Sequence, residues 1–277
     1  MKLSVVTTTP EVQARVPVAL LRGAFAERLE RAVQLGYDGV ELMAQRPAEL
    51  DGVDIAAQVS YHGLAIAAVA SGAIPFLDRL TLLTGDPAAR AAAELRLYQL
   101  IDFAAAARTP LVTIGGFRGR LANMKGANPE EARRYLIEVL RRAAERARSR
   151  GIRLALEPLN RYESDIVNTA AEGLALMDEV GHSHLGLLLD TFHMNIEEPT
   201  YAGSIEQVMA AGRLWHIHLG DSNRLPPGQG HIPFGDIITA LRRSGYDGYL
   251  SAELFPRPDP DAAAAATAAY MRTVLRQ

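Results

Sequence analysis

Eight short apolar runs, separated by longer stretches of helical periodicity, govern what this chain can fold into. The runs are Leu3–Thr7, Gly39–Leu42, Ala65–Ala70, Leu111–Gly115, Arg153–Glu157, Leu185–Asp190, Leu214–His218 and Tyr249–Glu253. Between them lie amphipathic segments such as Phe25–Leu35, with Phe25, Leu29, Ala32 and Val33 on one face, and Ala88–Ala106, Pro129–Arg148 and Ala170–Val180. Strands separated by helices imply parallel βαβ units. Eight such units predict a closed (β/α)8 barrel, the TIM-barrel form of the α/β class, as one domain over residues 1–277. A doubly wound open sheet is the rival, but no G-x-G-x-x-G turn follows the first strand.

The punctuation agrees. Gly36, Gly151, Gly181 and Gly245 each follow a helical pattern, where a left-handed residue ends a helix. Asp86-Pro87 and Asn128-Pro129 place a capping side chain before a proline suited to the first turn. Asp259-Pro260 starts a closing helix through the alanine run 262–269. The stretches 36–42 and 245–254 echo each other, both reading as helix end, turn, strand and terminal Glu, which marks two similar units and not a short-period repeat.

Composition narrows the chemistry. The chain has 277 residues, within the usual size of one barrel, with 48% hydrophobic and 22% charged residues. Its net charge of −3 gives no field favouring nucleic acid. There is no cysteine, so disulfides, thiolate metal sites and a Cys nucleophile are excluded. The first residues hold no apolar run of signal-peptide length, and no stretch reaches the roughly 20 apolar residues of a membrane span. A cytoplasmic location is expected.

Four consecutive strands end on a metal-binding residue type: Glu157, Asp190, His218 and Glu253, at intervals of 33, 28 and 35 residues. In a barrel these ends are neighbours on the C-terminal face, where barrel active sites sit. Period two puts His216 and His218 on one face, with His218 nearer the strand end and the better ligand. A charged residue at one strand end is commonly just solvated; an acid directly after an apolar run is harder to explain that way, and four ligand types on consecutive strands are not so explained. One imidazole and three carboxylates suit Mn²⁺, Mg²⁺ or Co²⁺ better than a structural zinc.

The stretch 153–256 resembles the sugar phosphate isomerase/epimerase (xylose isomerase-like) barrel superfamily, and within it the ketose 3-epimerases such as the D-tagatose and D-psicose 3-epimerases. The resemblance rests on Glu157-Pro-Leu-Asn-Arg-Tyr-Glu163, Asn168-Thr-Ala-Ala-Glu-Gly, Leu189-Asp190-Thr-Phe-His193-Met-Asn-Ile-Glu-Glu and His218-Leu-Gly-Asp-Ser-Asn-Arg224. The first half matches mainly in element order. The resemblance implies that Glu157, Asp190, His218 and Glu253 hold one divalent metal, most often Mn²⁺, with Glu157 and Glu253 as the acid/base pair. It further implies that Glu163, His193 and Arg224 contact substrate oxygens, and that the chain forms a dimer or tetramer. The expected reaction inverts a carbon next to a carbonyl through an enediolate, with a base on one face and an acid on the other.

The substrate is less constrained. The loop Ile114-Gly-Gly-Phe-Arg118-Gly-Arg120 brings two arginines to the rim, where a guanidinium fork would match a carboxylate. With this loop the chain resembles the 5-keto-L-gluconate epimerase branch, which yields tagaturonate. A keto-sugar acid is therefore expected, with neutral tagatose, psicose or fructose as the alternative; solvated loop charges are the plain reading of either arginine. Glu41 ends its strand, facing the pocket or only the rim. His62, His182 and His184 belong near helix ends at the surface, and His231 lies on a loop beside the site. Trp215, flanked by inward histidines, is expected to face the helix layer. An aldose–ketose isomerase or a dehydratase would use the same metal and enediolate. A three-zinc endonuclease on this barrel would need more histidines near the strand ends than the seven here supply. A catalytically dead sugar-binding barrel would be expected to lose one of the paired glutamates.

Overall fold

The computed structural model describes residues 1–124 and 128–277. Its strands are β1 (Lys2–Thr8), β2 (Gly39–Met43), β3 (Ala65–Ala70), β4 (Leu111–Ile114), β5 (Arg153–Leu156), β6 (Leu185–Asp190), β7 (Leu214–Leu219) and β8 (Tyr249–Ala252). All pair in parallel with their sequence neighbours, and β8 returns to β1, closing the barrel. Every run read as a strand from its apolar pattern is one.

The helices are α1 (Phe25–Gln34), α2 (Gly52–Tyr61), α3 (Ala73–Leu77), α4 (Pro87–Ala106), α5 (Pro129–Ser149), α6 (Ala170–Val180), α7 (Thr191–Glu197), α8 (Tyr201–Ala210), α9 (Phe234–Arg243) and α10 (Pro260–Arg276). The caps form where the sequence placed them. Asp86 accepts from Ala88 N–H at 2.9 Å, Asn128 from Glu131 N–H at 2.8 Å, and Asp259 from two N–H groups at 3.0 Å. Gly181 ends α6 at φ +67°, ψ +34°, a conformation that only a residue without Cβ adopts freely. The main core lies between the outer face of the barrel and the inner face of the helices.

Two expectations are corrected. Val33 is 44% exposed, and Arg28 takes the buried place on α1 with Phe25, Leu29 and Ala32. Trp215 does not face the helices. The β6–β7 register shifts from Leu187↔Leu214 to Leu188↔His216, leaving Trp215 as the extra residue of a bulge. Its indole turns into the lower barrel interior against Ala68, Leu111, Ala155 and Leu188, with the Arg153 guanidinium 5.1 Å from the ring centroid. Gly186 makes the room, since a Cβ there would lie 2.5 Å from the indole. The same bulge keeps His216 and His218 both inward, with His218 paired directly to Asp190 and Ser251.

Candidate metal centre and active site

The four strand-end residues meet. Ligand atoms of Glu157, Asp190, His218 and Glu253 all lie within 4.8 Å of one another, and all four side chains are buried. From His218 Nδ1 it is 3.5 Å to Glu157 Oε1, 3.9 Å to Asp190 Oδ2 and 3.4 Å to Glu253 Oε2. The backbone fixes each position. Glu157 N–H donates to Ile114 C=O and Glu253 N–H to Leu219 C=O, so each carboxylate continues its sheet ladder one residue past the strand. Asp190 divides its work: Oδ1 caps α7 by accepting from Phe192 and His193 N–H, at 2.7 and 3.3 Å, and Oδ2 is left for the site.

The cluster fits a divalent cation on its own chemistry. Glu157 Oε1, Asp190 Oδ2 and His218 Nδ1 are buried without a hydrogen-bond partner among the described residues, although they converge on one point. Buried polar atoms are rarely left this way unless something else satisfies them. Three carboxylates crowded together also repel. Burial first, then Glu253 and Asp190, push the Glu157 carboxyl up to about 7 against the pull of His218. Burial, with Glu253 adding to it, raises Asp190 to about 6 while Arg224 and His218 oppose. Glu253 is buried too, but His218 and Arg224 hold it below the usual carboxylate range. A cation among them would relieve this repulsion.

Beneath the quartet lies a group that the sequence left open. Glu41 is not a rim charge: it sits mid-strand in β2 with no exposed surface. His216 Nε2 lies 2.7 Å from its Oε2, His218 Nε2 lies 3.1 Å away, and Thr113 donates to its Oε1 at 3.1 Å. Despite burial, the two imidazoles hold the Glu41 carboxyl well below its ordinary value. Since Glu41 accepts from His218 Nε2, Nδ1 is the nitrogen that faces the site, the carboxylate–histidine–metal arrangement that fixes tautomer and ring orientation. The one available signal was parity: an acidic residue inside a strand points inward with every second neighbour.

Around the quartet stand the proposed substrate contacts. Asn160 donates its backbone N–H to His193 Nδ1 at 3.2 Å, which leaves the proton on Nε2, 3.8 Å from Glu157 Oε1. Burial, with Arg224 nearby, keeps His193 well below its usual pKa, so it is a neutral donor aimed at the site. The Arg224 guanidinium lies between the Phe192 and Phe255 rings, 5.0 and 5.8 Å from their centroids. It contacts Glu163 Oε1 at 3.0 Å and Glu253 Oε2 at 3.4 Å. Glu163, Arg224, His218, Glu157 and Glu253 line a cavity of about 190 Å³, walled on the other side by Val18, Met43 and Phe76.

Arg118 is a correction. It has no exposed surface and does not line this cavity. Its guanidinium donates to the carbonyls of Glu157, Ile166 and Val167, more weakly to that of Gly115, and to Ser164 Oγ. It is the internal brace of the loop after β5. Arg120 is half-exposed, 3.9 Å from Asp165. His231 is exposed, and His62, His182 and His184 are half-buried away from the cavity.

Residues 29–274 match the family described as the xylose isomerase-like TIM barrel. The chain belongs to that family. D-psicose 3-epimerase of Agrobacterium fabrum is 33% identical over 237 residues, covering 83% of this chain and 79% of that protein. The 3-dehydro-D-guloside 4-epimerase of Escherichia coli is 32% identical over 161 residues, 57% of this chain and 61% of that one. A crystal structure of D-psicose 3-epimerase with D-tagatose, from Clostridium cellulolyticum H10, superposes with a TM-score of 0.80 at 26% identity over 99% of both chains. These relatives are epimerases, and this family member is an isomerase-class enzyme of the epimerase type.

Proposed function

We propose that this chain inverts the carbon next to the carbonyl of a keto sugar, through an enediolate, with one divalent cation, Mn²⁺ foremost, held by Glu157, Asp190, His218 and Glu253. The observation that carries the reading is the pairing of Glu157 and Glu253. They flank one donor cluster from β5 and β8, strands on different sides of it, with ligand atoms within 4.8 Å of one another. Two carboxylates facing one site from two sides are what inversion at carbon needs, a base on one face and an acid on the other. A cation held by these four residues would supply Lewis-acid stabilisation of negative charge on substrate oxygens. One glutamate takes the proton from carbon on one face, and the carboxylic acid of the other returns a proton on the opposite face. No electrons are exchanged, and the second carboxylate is left ready to act as base for the reverse reaction. His193 Nε2–H and Arg224 donate to substrate oxygens, and Glu163 accepts from a hydroxyl.

For the substrate, the keto-acid form (5-keto-L-gluconate to D-tagaturonate) needs a cation for the carboxylate. Arg118 is committed to backbone carbonyls, leaving Arg120 at the rim and Arg224, whose charge Glu163 and Glu253 already offset. That observation favours a neutral ketohexose as the second form. The test is a substrate panel of 5-keto-L-gluconate, tagatose, psicose and fructose with metal-stripped protein titrated with Mn²⁺, products resolved by chromatography. The reading expects an epimer that forms only with metal. An aldose product would make the enzyme an aldose–ketose isomerase, and loss of water a dehydratase. A dimer or tetramer in the cytoplasm completes the proposal.

A further inference from the structure

A second cavity, of about 790 Å³, lies beside the active site on the same side of the barrel. The segment between β1 and α1 forms one wall and the proline-rich stretch after β8 the other, with Pro256, Pro258 and Pro260 on it. The β1–α1 segment separates the two cavities: Val18 lines the catalytic one, and its neighbours Pro17 and Ala19 line the outer one.

The outer cavity is basic. Arg15, Arg22 and Arg28 line it, and no carboxylate does among the described residues. Arg15 and Arg22 are exposed, and neither guanidinium is in an ion pair among the described residues. Arg28 is only 7% exposed. All its hydrogen bonds run from Nη1, to Thr8 C=O at 2.7 Å, Thr8 Oγ1 at 2.6 Å and Thr7 Oγ1 at 3.3 Å. Its Nε–H is buried without a partner among the described residues. The edge carrying Nε and Nη2 is thus left over, and that edge is the fork that matches a carboxylate or phosphate. The carboxylates nearby lie outside the lining and form no ion pair with these arginines among the described residues, although the charge of Glu11, whose Oε2 is buried without a partner, acts on Arg28. Glu11 Oε1 accepts from the Gln45 and Arg46 N–H groups, Glu27 from Ala24 N–H, and Asp261 from Arg22 N–H. The start of α1 also faces the cavity through Gly23, Ala24 and Phe25, with the Glu27 carboxylate already on the Ala24 N–H.

We propose that this cavity is a binding site for a small oxyanion, a carboxylate or phosphate carried by a molecule of sugar size. The buried Arg28 fork holds the anionic group, and Arg15 and Arg22 at the rim attract it. The site is independent of the reaction proposed above, because none of its residues belongs to the metal quartet.

Calorimetric titration of the metal-loaded protein tests it, with D-gluconate and inorganic phosphate as probes and neutral D-glucitol as control. Either anion should bind and glucitol should not; tighter binding of gluconate would identify a sugar acid as the occupant, and of phosphate a phosphorylated one. The double variant Arg15→Ala/Arg22→Ala, confined to exposed positions, should weaken binding about tenfold. Arg28→Met should abolish it, and Arg28→Lys, which keeps the charge without the fork, should restore part of it. Failure of both anions to bind overturns the proposal. So does binding that is unchanged in the double variant, an outcome that does not depend on whether Arg28→Met folds.

Discussion

Replacing Arg118 by Met separates a brace from a substrate contact. The guanidinium satisfies the buried carbonyls of Glu157, Ile166 and Val167, at 2.9 Å for its Nη2 bonds to the last two. Methionine fills much of the volume and donates nothing. A buried acceptor stripped of its partner costs about 1–3 kcal/mol. With some relaxation of the loop, the total loss should be about 3–5 kcal/mol, a large part of the roughly 5–15 kcal/mol that holds a typical domain folded. In urea unfolding followed by far-UV circular dichroism, the midpoint should fall by about 1–2.5 M for slopes of about 2–3 kcal/mol per M. Because Arg118 holds the Glu157 carbonyl itself, kcat should also fall, by about 10–100-fold, as a displaced catalytic group does. Arg118→Lys should lie between, since three donors on one nitrogen cannot span the separate acceptors that Nε, Nη1 and Nη2 reach. An unchanged midpoint, with a raised KM for keto-acid substrates alone, would refute the reasoning and return Arg118 to the substrate.

Four further outcomes follow from the geometry. Glu41→Gln should weaken Mn²⁺ binding about 10–100-fold in a calorimetric titration, because it removes the charged acceptor that orients His218. Glu157 titrates near 7 and Asp190 near 6, both raised mainly by burial, and ligation needs both ionised. The rise in Tm on adding Mn²⁺ should therefore be large at pH about 8 and shrink as pH falls through these values; an equal rise at pH about 5.5 would contradict this. For the metal-free chain the sign is opposite: these raised carboxyls stabilise the fold fully below their unfolded values, and that stability is lost as pH rises through about 6–7. Gly186→Ala should destabilise by about 1–3 kcal/mol through collision with Trp215 while leaving Mn²⁺ affinity in place.

What the sequence revealed and what it hid divide along a physical line. The strands and the quartet were legible because all four ligands close candidate strands, Glu157 and Asp190 directly after apolar runs, and barrel closure turns a 28–35 residue spacing into contact. Trp215 was misplaced because a bulge breaks period two, and nothing local announces that Leu188 pairs with His216 instead of with its neighbour. Glu41 was left ambiguous because its partners lie 175 and 177 residues away, so only barrel register brings them to it. Arg118 and Arg28 share one reason. An arginine on a loop or in a first helical turn is normally solvated, and both are buried here because folded backbone or hydroxyl oxygens gather around them.

The central claim is proton transfer at carbon by Glu157 and Glu253. The most direct measurement is proton NMR of a reacting keto sugar in D₂O, with the Mn²⁺-loaded enzyme removed before observation. The account predicts that deuterium enters only the carbon next to the carbonyl, that the inverted epimer appears with it, and that Glu157→Gln and Glu253→Gln each slow turnover by at least about 10²-fold. Epimer formed without deuterium, or exchange that persists unchanged in both variants, would contradict it.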